Sequence, residues 1–372
     1  MMQPDLFDVL VVGAGPAGSC AARAAALGGA RVLLVERRAQ VGLPVQCAEF
    51  VPWQLAHQVP IPPRCIAQTI QQMRTVLPDG SVVDKQAAGM VLDRALWDKH
   101  LAVLARQAGV ELRAGWTAVE YDGHEVLIRH GSHEATIQAK VIVGADGPHS
   151  TVAGWVGQSQ SEFVHGAEYE IVLPGPREQT EIYFDPLYRG GYGWLFPKGD
   201  TANVGVAVNV EMGGRPGAAL EHLLQRLGLS RAAVVGTLGG AAPVGGPVTR
   251  LQVGNILLVG DAAGLAHPIT GGGIAPAVIS GQKAGKAAAQ AAAGQGVAAL
   301  ERYPQEWEAT MGAALGQAVA NRRYLNARWS DDPAVLSDLI RETWIAFAAY
   351  GRRKPDTEGT RRTHGESTIR TD

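Results

Sequence analysis

Apolar positions along the chain fall into two patterns. Continuous apolar runs occupy residues 9–12, 32–35, 141–143 and 256–259, each ending near a glycine or an acid. Such runs read as strands buried on both faces of a parallel sheet. Between about 155 and 245 the pattern changes to alternation, as in Glu181-Ile182-Tyr183-Phe184 and Asn203-Val204-Gly205-Val206-Ala207-Val208. Alternation predicts an antiparallel sheet inserted into the first fold. Residues 93–109 place Leu96, Leu101, Val103 and Leu104 among charges at helical spacing, and Gly109 suits the helix end. Residues 110–144 read as strands, with turns at Asp122-Gly123 and Gly131. Pro60, Pro62, Pro63 and Pro78 make 54–80 read as loop. The stretch 300–350 reads as helices, and the Ala-rich 284–300, broken by Lys286, Gly294 and Gly296, as a surface helix.

These elements predict an α/β protein: a Rossmann-type nucleotide domain with an inserted antiparallel β-sheet domain and C-terminal helices. The expected boundaries are 1–155 with 246–300 for the discontinuous nucleotide-binding domain and 156–245 for the inserted sheet. A helical region follows over 301–350. The tail, 351–372, has no apolar periodicity and is expected to be solvated and disordered.

Two glycine-rich segments carry the chemistry. In the first, Gly13, Gly15 and Gly18 follow a strand in GxGxxG spacing. Gly13 permits the tight turn, Gly15 lets backbone approach a pyrophosphate, and Gly18 lets helix pack on strand. Pro16 suits the first helical turn, whose free N–H groups and dipole attract phosphate. Glu36 ends the next strand, where an acid accepts from ribose hydroxyls and repels a 2′-phosphate. This selects FAD or NAD over NADP. In the second segment Gly260-Asp261 ends a strand and Thr270-Gly271-Gly272-Gly273 opens a helix over 274–284. Asp261 is placed to accept from a ribityl-type hydroxyl, and the helix N-terminus to face an electron-rich flavin edge. The two segments together point to FAD.

Composition narrows the partners. A net charge of −2 over 372 residues makes no case for nucleic acid. Cys20, Cys47 and Cys65 fit neither a disulfide framework nor a zinc site, so no metal and a reducing, cytoplasmic setting are expected. Residues 1–8 do not read as a signal peptide, and no apolar run reaches the roughly 20 residues of a membrane span. Peripheral membrane contact, near Arg352 and Arg353 for instance, stays open.

Several motifs combine into a family resemblance. They are the Gly13–Gly18 turn with Glu36, PVQCAEF at 44–50, DRALWDKHLA at 93–102, VIVGADGPHS at 141–150, GYGWLFPKGD at 191–200 and GDAAGLAHPITGGGI at 260–274. The chain resembles the geranylgeranyl reductase family of FAD oxidoreductases, a branch of the p-hydroxybenzoate hydroxylase-like flavoprotein fold. The resemblance implies that Ala17 and Glu36 hold the adenine half of FAD. It puts Cys47, Ala48 and Phe50 beside the isoalloxazine ring, Arg94 and the Ala118 backbone on the cofactor, and Asp261, Gly273 and Ile274 in the second flavin segment. Tyr192, Trp194 and Phe196 would line the substrate cavity. Cys47, with Tyr192 and Trp194, is the expected catalytic set, Cys47 as proton donor or polarity tuner.

Bland roles compete for some of these residues: a surface charge for Arg94, a structural His267, a turn cap for Asp146. The C-terminal region looks shorter than in many family members, and Phe50 is expected to narrow the substrate entrance. The implied activity is reduction of prenyl C=C bonds by reduced flavin. Its alternatives are an FAD-dependent monooxygenase acting on an aromatic molecule or protein side chain, and a non-catalytic prenyl-binding escort protein. No second GxGxxG is visible, so the electron donor is either transiently bound NAD(P)H or a ferredoxin-like protein.

Overall fold

The computed structural model describes residues 4–352. From the N-terminus come β1 (Asp5–Val12), α1 (Pro16–Leu27) and β2 (Val32–Glu36), the expected βαβ opening. There follow β3 (Phe50–Pro52), β4 (Ile66–Val76), β5 (Val82–Leu92) and α2 (Arg94–Gln107). Next are β6 (Glu111–Ala114), β7 (Thr117–Tyr121), β8 (Glu125–His130), β9 (His133–Gly144) and α3 (Thr151–Trp155). The middle of the chain forms β10 (Phe163–Val172), β11 (Thr180–Tyr183), β12 (Tyr192–Lys198), β13 (Thr201–Val208), α4 (Pro216–Leu227) and β14 (Val234–Pro243). The chain then returns through β15 (Gln252–Val253), β16 (Ile256–Leu258) and α5 (Ile274–Gln290) to α6 (Val297–Trp307), α7 (Ala313–Arg328) and α8 (Pro333–Thr343).

Two sheets result. The first has order β15-β16-β9-β1-β2-β6, with β8 joining β9 and β7 joining β8. Its β16-β9-β1-β2-β6 core is parallel. The second has order β14-β10-β13-β12-β11-β4-β5-β3 and is antiparallel except where β11 meets β4. Hence the second sheet is not confined to 156–245: residues 50–92 supply three of its strands.

Two readings of the pattern need correction. The proline-bounded stretch 54–80 is not mainly loop, because Ile66–Val76 forms a full strand paired with Val82–Leu92. Its prolines lie outside the strand, and only Ile70 and Thr75 along it are fully buried, so the apolar signal is faint. The Ala-rich 284–300 is not one surface helix. Helix α5 runs to Gln290 and buries Ala284, Ala287, Ala288 and Ala289. Gly294 and Gly296, both at positive φ, then turn the chain into α6. Of the tail 351–372, all but Gly351 and Arg352 lies outside the described residues.

Helices α1 and α5 cover one face of the first sheet and touch backbone to backbone. A Cβ on Gly281 would lie 2.2 Å from the Ala17 carbonyl oxygen, and one on Gly285 2.2 Å from that of Ala21. Only glycine at this i, i+4 pair permits so close a crossing. Tyr303 of α6 donates its hydroxyl to the Leu258 carbonyl at 2.7 Å, and Trp307 is buried in the same core. Helix α7 joins the two sheets, its buried Arg322 holding Glu162 at 2.9 Å and the Gly190 carbonyl.

This crossing generates a prediction. Gly281→Val removes the roughly 1 kcal/mol helix penalty of glycine, but forces a side chain into a backbone carbonyl. Overpacking costs roughly 1–3 kcal/mol, so a lower denaturation midpoint together with weaker FAD retention is expected. An unchanged midpoint in urea would show that the crossing is not tight.

Candidate active site

The first wall of the site is the β1–α1 turn. Gly13 has φ +100, and a Cβ there would lie 2.4 Å from the Ala145 carbonyl oxygen. A Cβ on Gly18 would lie 1.7 Å from the Gly13 carbonyl oxygen. Both glycines are therefore demanded by close packing. Gly15 is different: nothing lies within 4 Å of its Cβ position. It lines the cavity with Pro16 and Ala17, at the N-terminus of α1. The first-turn amides of a helix have no intrahelical acceptor and favour anions.

The second wall follows β16. Gly260, at φ +56, donates its N–H to Ser280 Oγ at 3.0 Å, and its Cβ position lies 3.0 Å from the Ala17 methyl. Asp261 comes next and faces the cavity, as do Gly271, Gly272, Gly273 and Ile274 at the start of α5. Among the described residues no donor reaches the Asp261 carboxylate. Burial raises its pKa to about 6, with Arg94 partly opposing the shift. An unpartnered buried carboxylate is costly, and a hydroxyl-bearing ligand would satisfy it.

The Cys47 segment crosses between these walls and the second sheet. Burial pushes the Cys47 thiol up, against the pull of Arg94, so it stays a neutral thiol near pH 7. Glu49 is 2% exposed with φ +69. Its carboxylate accepts from the Arg94 N–H at 2.8 Å, Asn203 Nδ2 at 2.8 Å and Lys198 Nζ at 2.5 Å. Three donors hold this non-glycine residue in the left-handed region. Arg94 is no surface charge: its side chain is 13% exposed, lines the cavity and pairs with both oxygens of Asp98 at 2.7 and 2.8 Å. Burial opposes its charge, but Asp98, Cys47 and Glu49 together outweigh that and keep the guanidinium ionised.

The second sheet supplies the apolar wall. Tyr192, Trp194 and Phe196 of β12 line the cavity, joined by Ile182 and Trp344. Tyr192 donates its hydroxyl to the Thr270 carbonyl at 2.5 Å, tying the sheet to the glycine loop. Phe50 packs against Phe196, with ring centroids 5.7 Å apart. A Cβ on Gly89 would meet the Phe50 ring at 2.6 Å. Phe50 therefore lies folded along the wall rather than across the entrance. The opposite end of the trough is nearly bare, floored by Gly166, Ala207, Gly240 and Ala242. The whole cavity measures about 650 Å³, within the ~300–1,000 Å³ common for ligand sites.

Most expected residues meet in this one cavity: Gly15, Ala17, Cys47, Ala48, Phe50, Arg94, Tyr192, Trp194, Phe196, Asp261, Gly273 and Ile274. Gly13 and Gly18 stand behind its lining. Glu36 sits at the edge, its carboxylate accepting from the Ala14 and Arg38 N–H groups at 2.8 and 2.9 Å. Ala118 is buried in the core of the first sheet and does not reach the cavity. Asp146 does cap α3, accepting from Ser150 Oγ and the Thr151 N–H. His267 accepts from the Thr270 N–H and meets the Tyr350 hydroxyl at 3.1 Å, and burial lowers its pKa to about 4. It is a neutral brace.

Sequence motifs assign no role to four polar residues of the site, although Glu49 and Lys198 fall inside them. Glu49, Lys198 and Asn203 form the buried network just described. Glu168, on β10, lines the trough and accepts from Trp194 Nε1 at 2.7 Å. A single charged residue inside a strand pattern reads as solvent-facing, and only the pairing of distant strands reveals otherwise.

Known proteins agree with this geometry. A family model described as FAD dependent oxidoreductase matches residues 8–153. Digeranylgeranylglycerophospholipid reductase 1 of Methanopyrus kandleri is 40% identical, with 81% of this chain and 86% of that protein aligned. The digeranylgeranylglycerophospholipid reductase of Methanococcus aeolicus is 34% identical over 93% of this chain and 95% of its own. The crystal structure of a geranylgeranyl bacteriochlorophyll reductase-like protein from Thermoplasma acidophilum superposes with a TM-score of 0.80 at 25% identity, covering 92% of this chain and 97% of that one. The chain belongs to the geranylgeranyl reductase family of FAD-dependent oxidoreductases. This chain covers 86% to 97% of the length of these relatives.

Asp261 yields a two-sided prediction. Its folded pKa of about 6 lies above the ordinary 3.8, so the apoprotein binds a proton more tightly than the unfolded chain. Stability from this group is full below about pH 4 and is lost as pH rises through about 6. Asp261→Asn should therefore raise the apoprotein melting temperature at pH 8 but not at pH 4. The same variant should weaken FAD binding about tenfold or more, since a hydrogen bond to a charged acceptor is worth ~1.5–3 kcal/mol. Equal melting shifts at both pH values would contradict the assigned titration.

Proposed function

We propose that this protein uses FAD to reduce the C=C bonds of a geranylgeranyl-type lipid chain. One observation carries the reading: a single cavity joins a dinucleotide cradle to a trough with aromatic sides and a floor of small residues. The cradle suits FAD on physical grounds. Open backbone at Gly15 and the α1 amides would hold a pyrophosphate, and Asp261 would take a ribityl hydroxyl. The N-terminus of α5 would face the flavin ring, with Cys47, Ala48 and Phe50 beside it. Once bound and reduced, FAD supplies hydride chemistry; the chain supplies position and an apolar slot.

The trough fits a long, methyl-branched apolar chain. Gly166 of β10, Ala207 of β13, and Gly240 and Ala242 of β14 leave room for a chain lying across the strands. Tyr192 and Trp194 act as its wall, their polar atoms committed to Thr270 and Glu168. Cys47 tunes the polarity beside the ring as a neutral thiol. The relatives named for digeranylgeranylglycerophospholipid support a lipid of this class. Among the described residues no helix is long and apolar enough to cross a membrane, so such a lipid would be taken at a bilayer surface or from a carrier. NAD(P)H or a ferredoxin-like protein, meeting the flavin transiently, would be the electron source.

The test is anaerobic. Reduced protein, freed of excess reductant, is mixed with a geranylgeranyl glycerophospholipid. Flavin re-oxidation with a mass gain of two hydrogens per double bond is expected. Reduced flavin that ignores the lipid but reacts with oxygen and hydroxylates an aromatic compound would overturn the reading. The trough makes a second prediction. A Cβ on Gly166 meets only backbone oxygens at 3.7 and 3.8 Å, so Gly166→Leu should fold and fill the slot. KM for a geranylgeranyl lipid should rise about tenfold or more, the loss of burial of about one apolar group worth ~1.5–3 kcal/mol, while FAD content stays unchanged.

A further inference from the structure

Reduction of an isolated C=C bond needs a proton as well as a hydride, and an apolar slot holds little water to give one. Glu168 is 5% exposed, yet it stands on the trough side of the second sheet. Its placement is built across three strands. Trp194 of β12 and Glu168 of β10 both pair with Gly205 of β13, one from each side. A Cβ on Gly205 would lie 2.4 Å from the Trp194 ring and 2.9 Å from the Glu168 Cβ. Glycine there lets the indole lie across the middle strand, so that Nε1 reaches Glu168 Oε2 at 2.7 Å. The other oxygen, Oε1, is buried without a partner among the described residues. One oxygen is thus anchored and the other uncommitted.

We propose that Glu168 is the internal proton donor of this reduction, its neutral carboxyl, anchored by Trp194, protonating the substrate carbon next to the one that receives the hydride. The proposal rests on the lipid-reductase reading above. The step balances. One carbon of the C=C bond receives two electrons and a hydrogen as the hydride that bound, reduced FAD would supply. The carboxyl O–H bond breaks and a C–H bond forms on the other carbon. The carboxylate left behind regains its proton from solvent between turnovers.

The surroundings favour this group over its neighbours. Burial raises the Glu168 pKa to about 8. Trp194 and Lys198 on β12 pull it down, while Glu49 beside the Cys47 segment and Glu170 on its own strand push it up. The carboxyl therefore still holds its proton at neutral pH and remains the strongest acid that does so in the trough. The Cys47 thiol is raised above its ordinary value, and the Tyr192 hydroxyl higher still. Asp261 ionises lower, and His267 is neutral. Trp194 is a positioning residue, not the donor.

Two measurements test the proposal. In the infrared spectrum of the FAD-free protein, a carboxylic C=O band lost in Glu168→Gln should be present at pH 7 and titrate away near pH 8. In anaerobic single turnover with the geranylgeranyl lipid, Glu168→Gln should keep FAD content and lipid binding but slow flavin re-oxidation about a hundredfold or more. Wild type should lose rate above about pH 8, and the variant should lack that limb. Trp194→Phe removes a hydrogen bond that favours the carboxylate, so its limb should move to higher pH; this variant decides the matter if Glu168→Gln folds poorly. Wild type active on the lipid, with both variants showing its rate and pH profile, would overturn the proton donor alone. Wild type inert toward the lipid would overturn the substrate reading, and with it the carbon assigned to receive the proton, whatever the infrared titration shows.

Discussion

The contact on which the site depends is the glycine-mediated crossing of α1 and α5. Each helix begins at the C-terminal end of a parallel strand, where an open α/β sheet presents its binding crevice. Gly281 and Gly285 let α5 lie against the Ala17 and Ala21 carbonyls. The two N-termini consequently open on one cavity. Gly260 continues the contact, fitting its positive-φ turn against Ala17 and Ala277. With a side chain at any of these positions the two helices would separate, and their N-termini would no longer open on one cavity. This also explains why so small-sided a pair of helices contributes so much to the core. Buried alanines gain little transfer energy each, but backbone contact along several turns adds dispersion over many atoms.

The second sheet answers a different constraint. An apolar trough beside a flavin needs a dry wall, yet the loop carrying Cys47 must be held at fixed height above it. The chain solves this with one buried polar cluster. Glu49 collects the Arg94 N–H, Asn203 and Lys198 and thereby pins the loop to both α2 and the sheet. Every oxygen of that carboxylate has a donor, which is the condition under which a buried charge is tolerable. Tyr192 ties the sheet to the glycine loop in the same manner. The apolar surface between these anchors is left free for a substrate.

The nucleotide half of this design is legible in sequence because its signals are local. A strand, three glycines, a helix and a terminal acid lie within a few dozen residues, and the structure reproduces them with nearly the expected bounds. The substrate half is less legible because its signals are relational. Strand β4 hides among prolines and shows mostly polar side chains, since it rests one face on solvent. Gly205 reads as a weak point in a strand until Trp194 is seen lying across it. Ala118 and Glu36 stand outside the cavity lining: the Ala118 side chain is buried in the core of the first sheet, and the Glu36 carboxylate accepts from the Ala14 and Arg38 amides. Arg94 was ambiguous in sequence because a helix charge and a buried one look alike until the partner, Asp98, is shown to be buried with it.

Two carboxyls in one cavity show how the fold separates roles by environment. Both are raised by burial, and neither has its full set of partners. Asp261 stands near the Arg94 guanidinium, which moderates the shift to about 6. Glu168 stands near Glu49, which adds to the shift that burial makes, and its pKa is raised to about 8. Near pH 7 the first is mainly an anion, fit to accept hydrogen bonds from a polyol. The second is mainly an acid, fit to give a proton away. Environments that push like groups apart mark acid and acceptor roles in catalysis generally. Here the division follows the architecture: the carboxylate lies on the cofactor's sheet and the carboxylic acid on the substrate's, with the Cys47 loop between them.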